Sequence, residues 1–472
     1  MRTARAETVN MSKVFDHVPQ ECEPVETRYR RIHTRLPVPE SIPILDRVER
    51  YETRSMLGQP PVVWDRAEGC QVFDRWGNAW LDWSSGVLVA NAGHSHPRIR
   101  AAVREELERG LLFSYCFITD VRTRLAERLI ELTPPGLDRV FFLTTGSETT
   151  ENAIKLARTR GRNIRPEKLV VVSFEGAFHG RTMGAQQAGG DDAAKEWIGN
   201  LDPDFVQVPF PDGFRTVETS FGSFEAALED MEVVPDRVCA VLMETYQGGG
   251  ASFAPTEYVQ ELQRWCRVHD ALLMMDEVQA GFGRTGRLFG FEHYGIVPDV
   301  VCLGKAISGS LPLSAVVGRE DVMNQYGPGL MTSTHGGNPV ACAAALANLD
   351  VLEGEGLVTN AARVGHCLRE GLDALARDLP DVIGAVHGRG LVYGIHVVRP
   401  GGDAPNPVLA FEVVRESFYA GLLMFAPVGF GGATIKIAPS LSIPLDAIEE
   451  GLDVLTGAFR RALTRPDTQS PD

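Results

Sequence analysis

Lysine is nearly absent from this chain. Of 46 basic residues in 472, only six are lysines: Lys13, Lys155, Lys168, Lys195, Lys305 and Lys436. Arginine stays protonated and forms no imine, so any imine chemistry has six candidate positions at most. Positive charge is also in deficit, because 62 acidic residues leave a net charge of −16. A surface this acidic repels nucleic acid and anionic membranes, and neither is expected as a partner. No run approaches the ~18 apolar residues of a membrane-spanning helix. Residues 1–14 carry Arg2, Arg5 and Glu7 without an apolar stretch, so no secretory leader is expected. The eight cysteines form no CxxC pair. Several lie in apolar runs such as Val301-Cys302-Leu303, which fits reduced core thiols in the cytoplasm.

Several motifs are missing as well. There is no HExxH or other zinc spacing, so no metal is expected. There is no GxSxG elbow, and Gly304-Lys305 lacks the upstream glycine and following Ser/Thr of a P-loop. Gly281-Phe-Gly283-Arg-Thr-Gly286 fits GxGxxG by letter. A dinucleotide fingerprint must open a helix, and the next nine residues hold two glycines and three aromatics, which make a poor one.

What is present reads as a folded α/β chain. Apolar residues make up 44% and charged residues 23%, a balance that excludes a mainly disordered protein. Gln71–Asp74 and Ala79–Asp82 flank Gly77-Asn78, a hairpin signal. Strand-length apolar runs follow at 140–143, 169–174, 238–243, 271–275, 300–303 and 315–317, alternating with helical or loop segments. Continuous apolar strands alternating with helices predict a mostly parallel sheet covered on both faces. From about 339 the pattern changes to long helices with a few strands, a second α+β unit. The charged segment 1–45 reads as a mobile or surface-wrapping arm.

Lys305 stands apart among the lysines. Lys13 lies in the arm, Lys168 and Lys195 sit in polar segments expected to be exposed, and Lys155 is on a helix of mixed polarity. Lys305 ends the apolar strand Val300–Gly304. Burial there depresses the amine pKa and keeps it nucleophilic, and ligands of open α/β sheets gather at strand carboxyl ends. Other strand ends supply matching parts. Gly146 and Ser147 open a helix and can offer a phosphate backbone amides and a hydroxyl. Asp276 closes the strand Leu272–Met275 and suits a protonated pyridine nitrogen. Phe178-His179 follow a third strand and can stack on a ring. Together these describe a pyridoxal phosphate site.

The sequence resembles the class III aminotransferases of PLP fold type I over about residues 45–460. The resemblance rests on Asn91-Ala-Gly93-His94-Ser95-His96-Pro97, Thr145-Gly146-Ser147-Glu148, Phe178-His179-Gly180-Arg181-Thr182, Asp276-Glu277-Val278-Gln279, Leu303-Gly304-Lys305 and Thr334-His-Gly336-Gly337-Asn338-Pro339, in that order. It implies an α/β fold with a large domain, whose sheet is mainly parallel and seven-stranded, and a small α+β domain. The expected divisions are an arm at 1–45, part of the small domain at 46–95, the large domain at 96–340, the rest of the small domain at 341–463 and a tail at 464–472. It further implies that Lys305 forms the Schiff base and that Asp276 meets the pyridine nitrogen. Val278 and Phe178 cover the ring faces, Gln279 reaches the ring hydroxyl, and Gly146 and Ser147 hold the phosphate. His179 and Glu244 line the pocket. Thr334 matches a residue that reaches the neighbouring subunit's cofactor, implying a homodimer with shared sites.

The departures from the family pattern concern substrate. Many relatives hold a C-terminal arginine with a glutamate; here the glutamate position is Gly249 and the arginine is Lys436. Charge remains, so Lys436 is expected as a substrate-carboxylate contact, but the bidentate fork is lost. Val87 stands where some relatives contact an α-carboxylate, and Arg181 matches an arginine that grips carboxylates in several. The expected function is ping-pong transfer of an amino group from an amine or amino acid, with a terminal amine in view, to a 2-oxo acid. Decarboxylation, racemisation or elimination on the same fold is the alternative. A transcription-regulator module is disfavoured, because 45 residues are too few for a DNA-binding domain.

Overall fold

The computed structural model describes residues 15–465. Its central sheet has seven strands: β1 (Arg139–Leu143), β2 (Val170–Phe174), β3 (Phe205–Val208), β4 (Val238–Glu244), β5 (Leu272–Asp276), β6 (Val300–Leu303) and β7 (Ser314–Gly318). Their spatial order is β1-β7-β6-β5-β4-β2-β3. The pairs β2/β3, β2/β4, β4/β5 and β5/β6 are parallel, and only β7 runs against its neighbours. The sheet is therefore mainly parallel, as expected. Strands β2, β4, β5, β6 and β7 are buried along their whole length. Burial on both faces explains why they read as unbroken Val, Leu and Met runs. Strand β3 escaped the sequence reading. It is a four-residue edge strand, mostly half-buried, and Gln207 interrupts its apolar character.

Register brings the reactive groups together. Asp276 pairs with Glu244 on one side and with Cys302 on the other. Lys305 follows Cys302 by three residues, so it emerges beside both carboxylates. Leu143, at the end of β1, pairs with Ser314 at the start of β7. That places the first turn of helix α1 (Gly146–Ile164) at the same edge of the sheet.

The C-terminal region builds an antiparallel three-stranded sheet from β8 (Ile383–Arg389), β9 (Val392–Val397) and β10 (Thr434–Ile437). The expected hairpin forms, with Gln71–Phe73 against Ala79–Leu81 and Gly77 at φ 95°. Its second strand also pairs in parallel with Leu422–Leu423, joining N-terminal and C-terminal chain in one sheet. The arm wraps this region from Phe15 onward. The Phe15 ring lies 4.8 Å from that of Phe411, and Arg30 pairs with Glu450 at 2.6 Å.

Two lysines expected at the surface are buried. Lys168 donates to His269 O at 2.8 Å, and Lys195 to Gln207 Oε1 at 2.9 Å. Long aliphatic stems let both enter the interior because each ammonium finds an oxygen there. All eight cysteines are free. Five are buried as expected; Cys22 and Cys367 are half-buried, and Cys116 is exposed. Among the described residues, no helix is long and apolar enough to cross a membrane.

Candidate active site

The carboxyl ends of β4, β5 and β6 meet in one buried cluster. Asp276 Oδ1 accepts the Val278 N–H at 3.0 Å, and Oδ2 lies 2.9 Å from His179 Nδ1. Burial alone lowers the His179 pKa, but the bond and charge of Asp276, with Glu244 behind it, raise it overall. The other ring nitrogen of His179 is buried without a hydrogen-bond partner among the described residues. Glu244 accepts the Gly248 N–H at 2.9 Å and the Phe178 N–H at 3.1 Å. Desolvation pushes its carboxyl up to about 7.

Lys305 follows an extended Gly304 and takes a left-handed φ of 41°. A non-glycine residue rarely adopts that region, and such strain is held where surrounding structure enforces it. Desolvation lowers the Lys305 pKa, with the charges of Asp276 and Glu244 opposing. The amine is thus biased toward its nucleophilic neutral form.

Helix α1 opens at the same edge on a capping box. The Glu148 N–H donates to Thr145 Oγ1, and Glu148 Oε2 accepts the N–H groups of Thr144 and Thr145 at 2.8 and 2.9 Å. The Gly146 and Ser147 amides, in the first turn, have no intrahelical acceptor. Val278 packs against this turn: a Cβ on Gly146 would sit 2.7 Å from Val278 Cγ1, and one on Gly304 would sit 3.1 Å from it. Gly146 at the start of α1 and Gly304 at the end of β6 therefore leave space that one valine defines. Gly180 crosses so close to Ser147 that its Cβ would lie 2.3 Å from Ser147 Oγ. The Phe178 ring is exposed, with the Arg181 guanidinium 5.4 Å from its centroid.

The remaining expected residues are Val87, Lys436 and Thr334. Val87 is 49% exposed within a left-handed turn, Ser85–Leu88, whose four φ values run from 44° to 63°. Lys436, on β10, is buried and donates to Gly248 O and Gln279 Oε1. Desolvation takes its pKa down to about 7. Thr334 is exposed on a loop flanked by Gly336, which packs on Phe142 O, and by His335, whose ring lies 5.3 Å from that of Phe113.

The sequence reading gave no role to three supporting residues. Glu277, next to Asp276, turns the other way and accepts the Gly290 and Phe291 N–H groups and the Thr245 hydroxyl. Arg284 is fully buried and donates to Leu391 O at 2.8 Å and Ser85 Oγ at 3.0 Å, as well as to Pro439 O and Asn91 Oδ1. It ties the Ser85 turn to the strand ends of the C-terminal sheet. Thr150 Oγ1 holds His179 O at 2.7 Å. The signal for Glu277 and Arg284 was a charge inside an apolar or glycine-rich stretch; Thr150, among polar neighbours, carried none.

A strand-end lysine, a carboxylate–histidine pair and an open helix N-terminus share one edge of the sheet. The class III aminotransferase family model matches residues 54–459. The chain belongs to the class III aminotransferases. It is 38% identical to an acetylornithine aminotransferase of Gloeobacter violaceus over 85% of this chain and 94% of that one. It is 34% identical to a 4-aminobutyrate aminotransferase of Mycobacterium leprae over 90% and 97%. The ornithine aminotransferase structure from Toxoplasma gondii, described with partial pyridoxal phosphate at its active site, superposes with a TM-score of 0.79. There the identity is 31%, over 92% of this chain and 97% of that one.

This aminotransferase accordingly uses pyridoxal phosphate to transfer amino groups between an amino donor and a 2-oxo acid. Its residues fit that cofactor. The Gly146–Val278–Gly304 packing leaves a cradle that a Cβ would fill, and His179 keeps an unpartnered buried nitrogen in the same cluster. A desolvated amine stands beside two carboxylates.

Proposed function

We propose that Lys305 carries the cofactor covalently and serves as the proton carrier of transamination. The observation behind this is the register of β4, β5 and β6, which sets Lys305 beside Asp276 and Glu244. Bound pyridoxal phosphate supplies a carbonyl that condenses with amines and a protonated ring that acts as an electron sink. Asp276 holds the ring nitrogen protonated, and His179 orients Asp276 through the 2.9 Å bond. Val278 and Phe178 bracket the ring, and Gln279 meets its hydroxyl. Gly146 and Ser147 take the phosphate at the α1 N-terminus, where amides and the helix dipole favour an anion. Glu244 lines the pocket. Lys305 Nζ, desolvated, would carry the proton between the substrate carbon and the cofactor's C4′ within one half-reaction, and back again in the other.

The active form is a homodimer in which Thr334 reaches the partner's cofactor, and the protein works in the cytoplasm. The small domain combines 46–95 with 341–463, a division supported by the Leu81–Leu422 strand pairing. Residues 96–340 form the large domain.

The donor we propose is an amine on a carbon without an α-carboxylate. A side chain at Gly249 would place its Cβ 3.0 Å from Gly429 Cα, so the backbone has closed over the position of the missing glutamate. Lys436 keeps its ammonium on Gly248 O and Gln279 Oε1. Val87 makes the exposed wall apolar, and Arg181 is the remaining carboxylate contact. The relative named for 4-aminobutyrate acts on a donor of this class.

Borohydride reduction of the yellow protein followed by peptide mapping tests the central assignment. The label is expected on Lys305, and Lys305→Ala is expected to lose both the band and turnover. A label on Lys155 or Lys436 would overturn it.

A further inference from the structure

Lys436 reaches across the molecule. It belongs to β10 of the C-terminal sheet, where it pairs with Gly394, yet its ammonium bonds two loops at the ends of β4 and β5. The acceptors are Gly248 O, in the loop that Glu244 anchors through the Gly248 N–H, and Gln279 Oε1. Its Nζ lies over the Tyr246 ring, 5.4 Å from the centroid. Charged groups face it from each packed element: Glu244 from β4, Lys305 from the end of β6, and Arg284 from the loop beyond β5. Asp276 and His179 stand behind Lys305 and Glu244.

Below its pKa of about 7, Lys436 is an ammonium with three donors and no acceptor. Facing Lys436, the Gln279 amide can therefore present only its oxygen, and its NH₂ must turn away. That NH₂ lies beside Gly248, where an added Cβ would stand 2.9 Å from Gln279 Nε2 and 2.8 Å from Glu244 Oε1. A methionine at 436 would remove the donor that holds the amide oxygen in place and loosen the amide's orientation. Arginine would keep a donor.

We propose that Lys436 is a positioning residue that fixes the Gln279 amide with its NH₂ toward the cofactor's ring oxygen, rather than a clamp for a substrate carboxylate. This rests on the placement of the cofactor on Lys305 with Gln279 at the ring hydroxyl. A donor on that oxygen withdraws negative charge from the proton held on the Lys305–cofactor linkage. Below about pH 7, where Lys436 keeps its charge, the ammonium acts in the same direction. Both lower the pH at which that proton leaves.

The test follows the absorbance of the bound cofactor against pH in the holoenzyme, together with the cofactor dissociation constant by equilibrium dialysis. Lys436→Met is expected to move the spectral transition upward by roughly one pH unit, the size that one nearby charge and one donor produce. It is also expected to weaken cofactor binding. Lys436→Arg should restore both. Lys436→Gln, which keeps a donor without the charge and is the gentler change if the methionine variant does not fold, should fall between. In a Gln279→Leu background the Lys436→Met shift should shrink. Additive shifts would mean that Lys436 acts by charge alone, which would overturn the proposal. So would an unmoved transition with kcat/KM lost only for carboxylate-bearing substrates. A wild-type protein without cofactor absorbance would instead overturn the Lys305 assignment itself.

Discussion

Replacing Asp276 by asparagine should separate stability from chemistry. Asp276 is buried, and its two oxygens serve the Val278 N–H at 3.0 Å and His179 Nδ1 at 2.9 Å. Asparagine has one oxygen and one NH₂. The oxygen stays with the Val278 amide, and the NH₂ then faces His179. Two donors would oppose each other unless His179 gives up its Nδ1 proton, so the variant should hold a neutral histidine. A charge-assisted bond becomes a neutral one, at a cost of about 1 kcal/mol in stability. The effect on catalysis should be larger. Losing the carboxylate removes the electrostatic support of the ring nitrogen, on the order of 10²- to 10³-fold in kcat, or about 3–4 kcal/mol. The pH dependence has a definite sign. The His179 pKa is raised in the fold, so its stabilisation is complete below the unfolded value and fades as pH rises through the folded one. The stability gap between wild type and variant should therefore be widest near pH 6 and narrow as pH rises above the unfolded histidine value. Denaturant unfolding of the cofactor-free proteins across that range measures the gap, and stopped-flow turnover of the holoenzymes measures kcat. Near-normal kcat, or a gap that widens with pH, would refute the reasoning.

Two further outcomes follow from the geometry. Gly146→Ala places a Cβ 2.7 Å from Val278 Cγ1, and Val278 is already hemmed in by Gly304. The overpacking should cost about 1–3 kcal/mol and weaken cofactor binding; adding Val278→Ala should recover part of both in a cofactor titration, and no recovery would refute the cradle. For substrate choice, kcat/KM should favour a terminal amine over glutamate as donor. If glutamate wins by ~10-fold or more, about 1.4 kcal/mol, the inference from Gly249 and Val87 fails.

The strands that carry the site were legible because they are buried on both faces and so are written as apolar runs ending in Glu244, Asp276 and Gly304. Lys305 stood out for the same reason, a lone amine at the end of such a run. The α1 N-terminus was legible because capping is local, with Thr145 and Glu148 three residues apart. Two edge strands were not: β3 and β8 are partly exposed, and Gln207 or Gly384 and Gly388 break their pattern.

The sequence by itself determined the fold class, the strand-end lysine, the carboxylate and the helix that opens toward them. Each of these depends on residues close together in the chain, where periodicity, capping and burial act over a few positions. Tertiary structure decided what Lys436, Arg284, Lys168 and the Ser85–Leu88 turn do. Lys436 meets Gln279 across 157 residues and Gly248 across 188, and Arg284 meets Ser85 across 199. A polar side chain takes its role from whichever partner satisfies it in the interior, and partners that distant are set by how the sheets pack, not by any pattern along the chain.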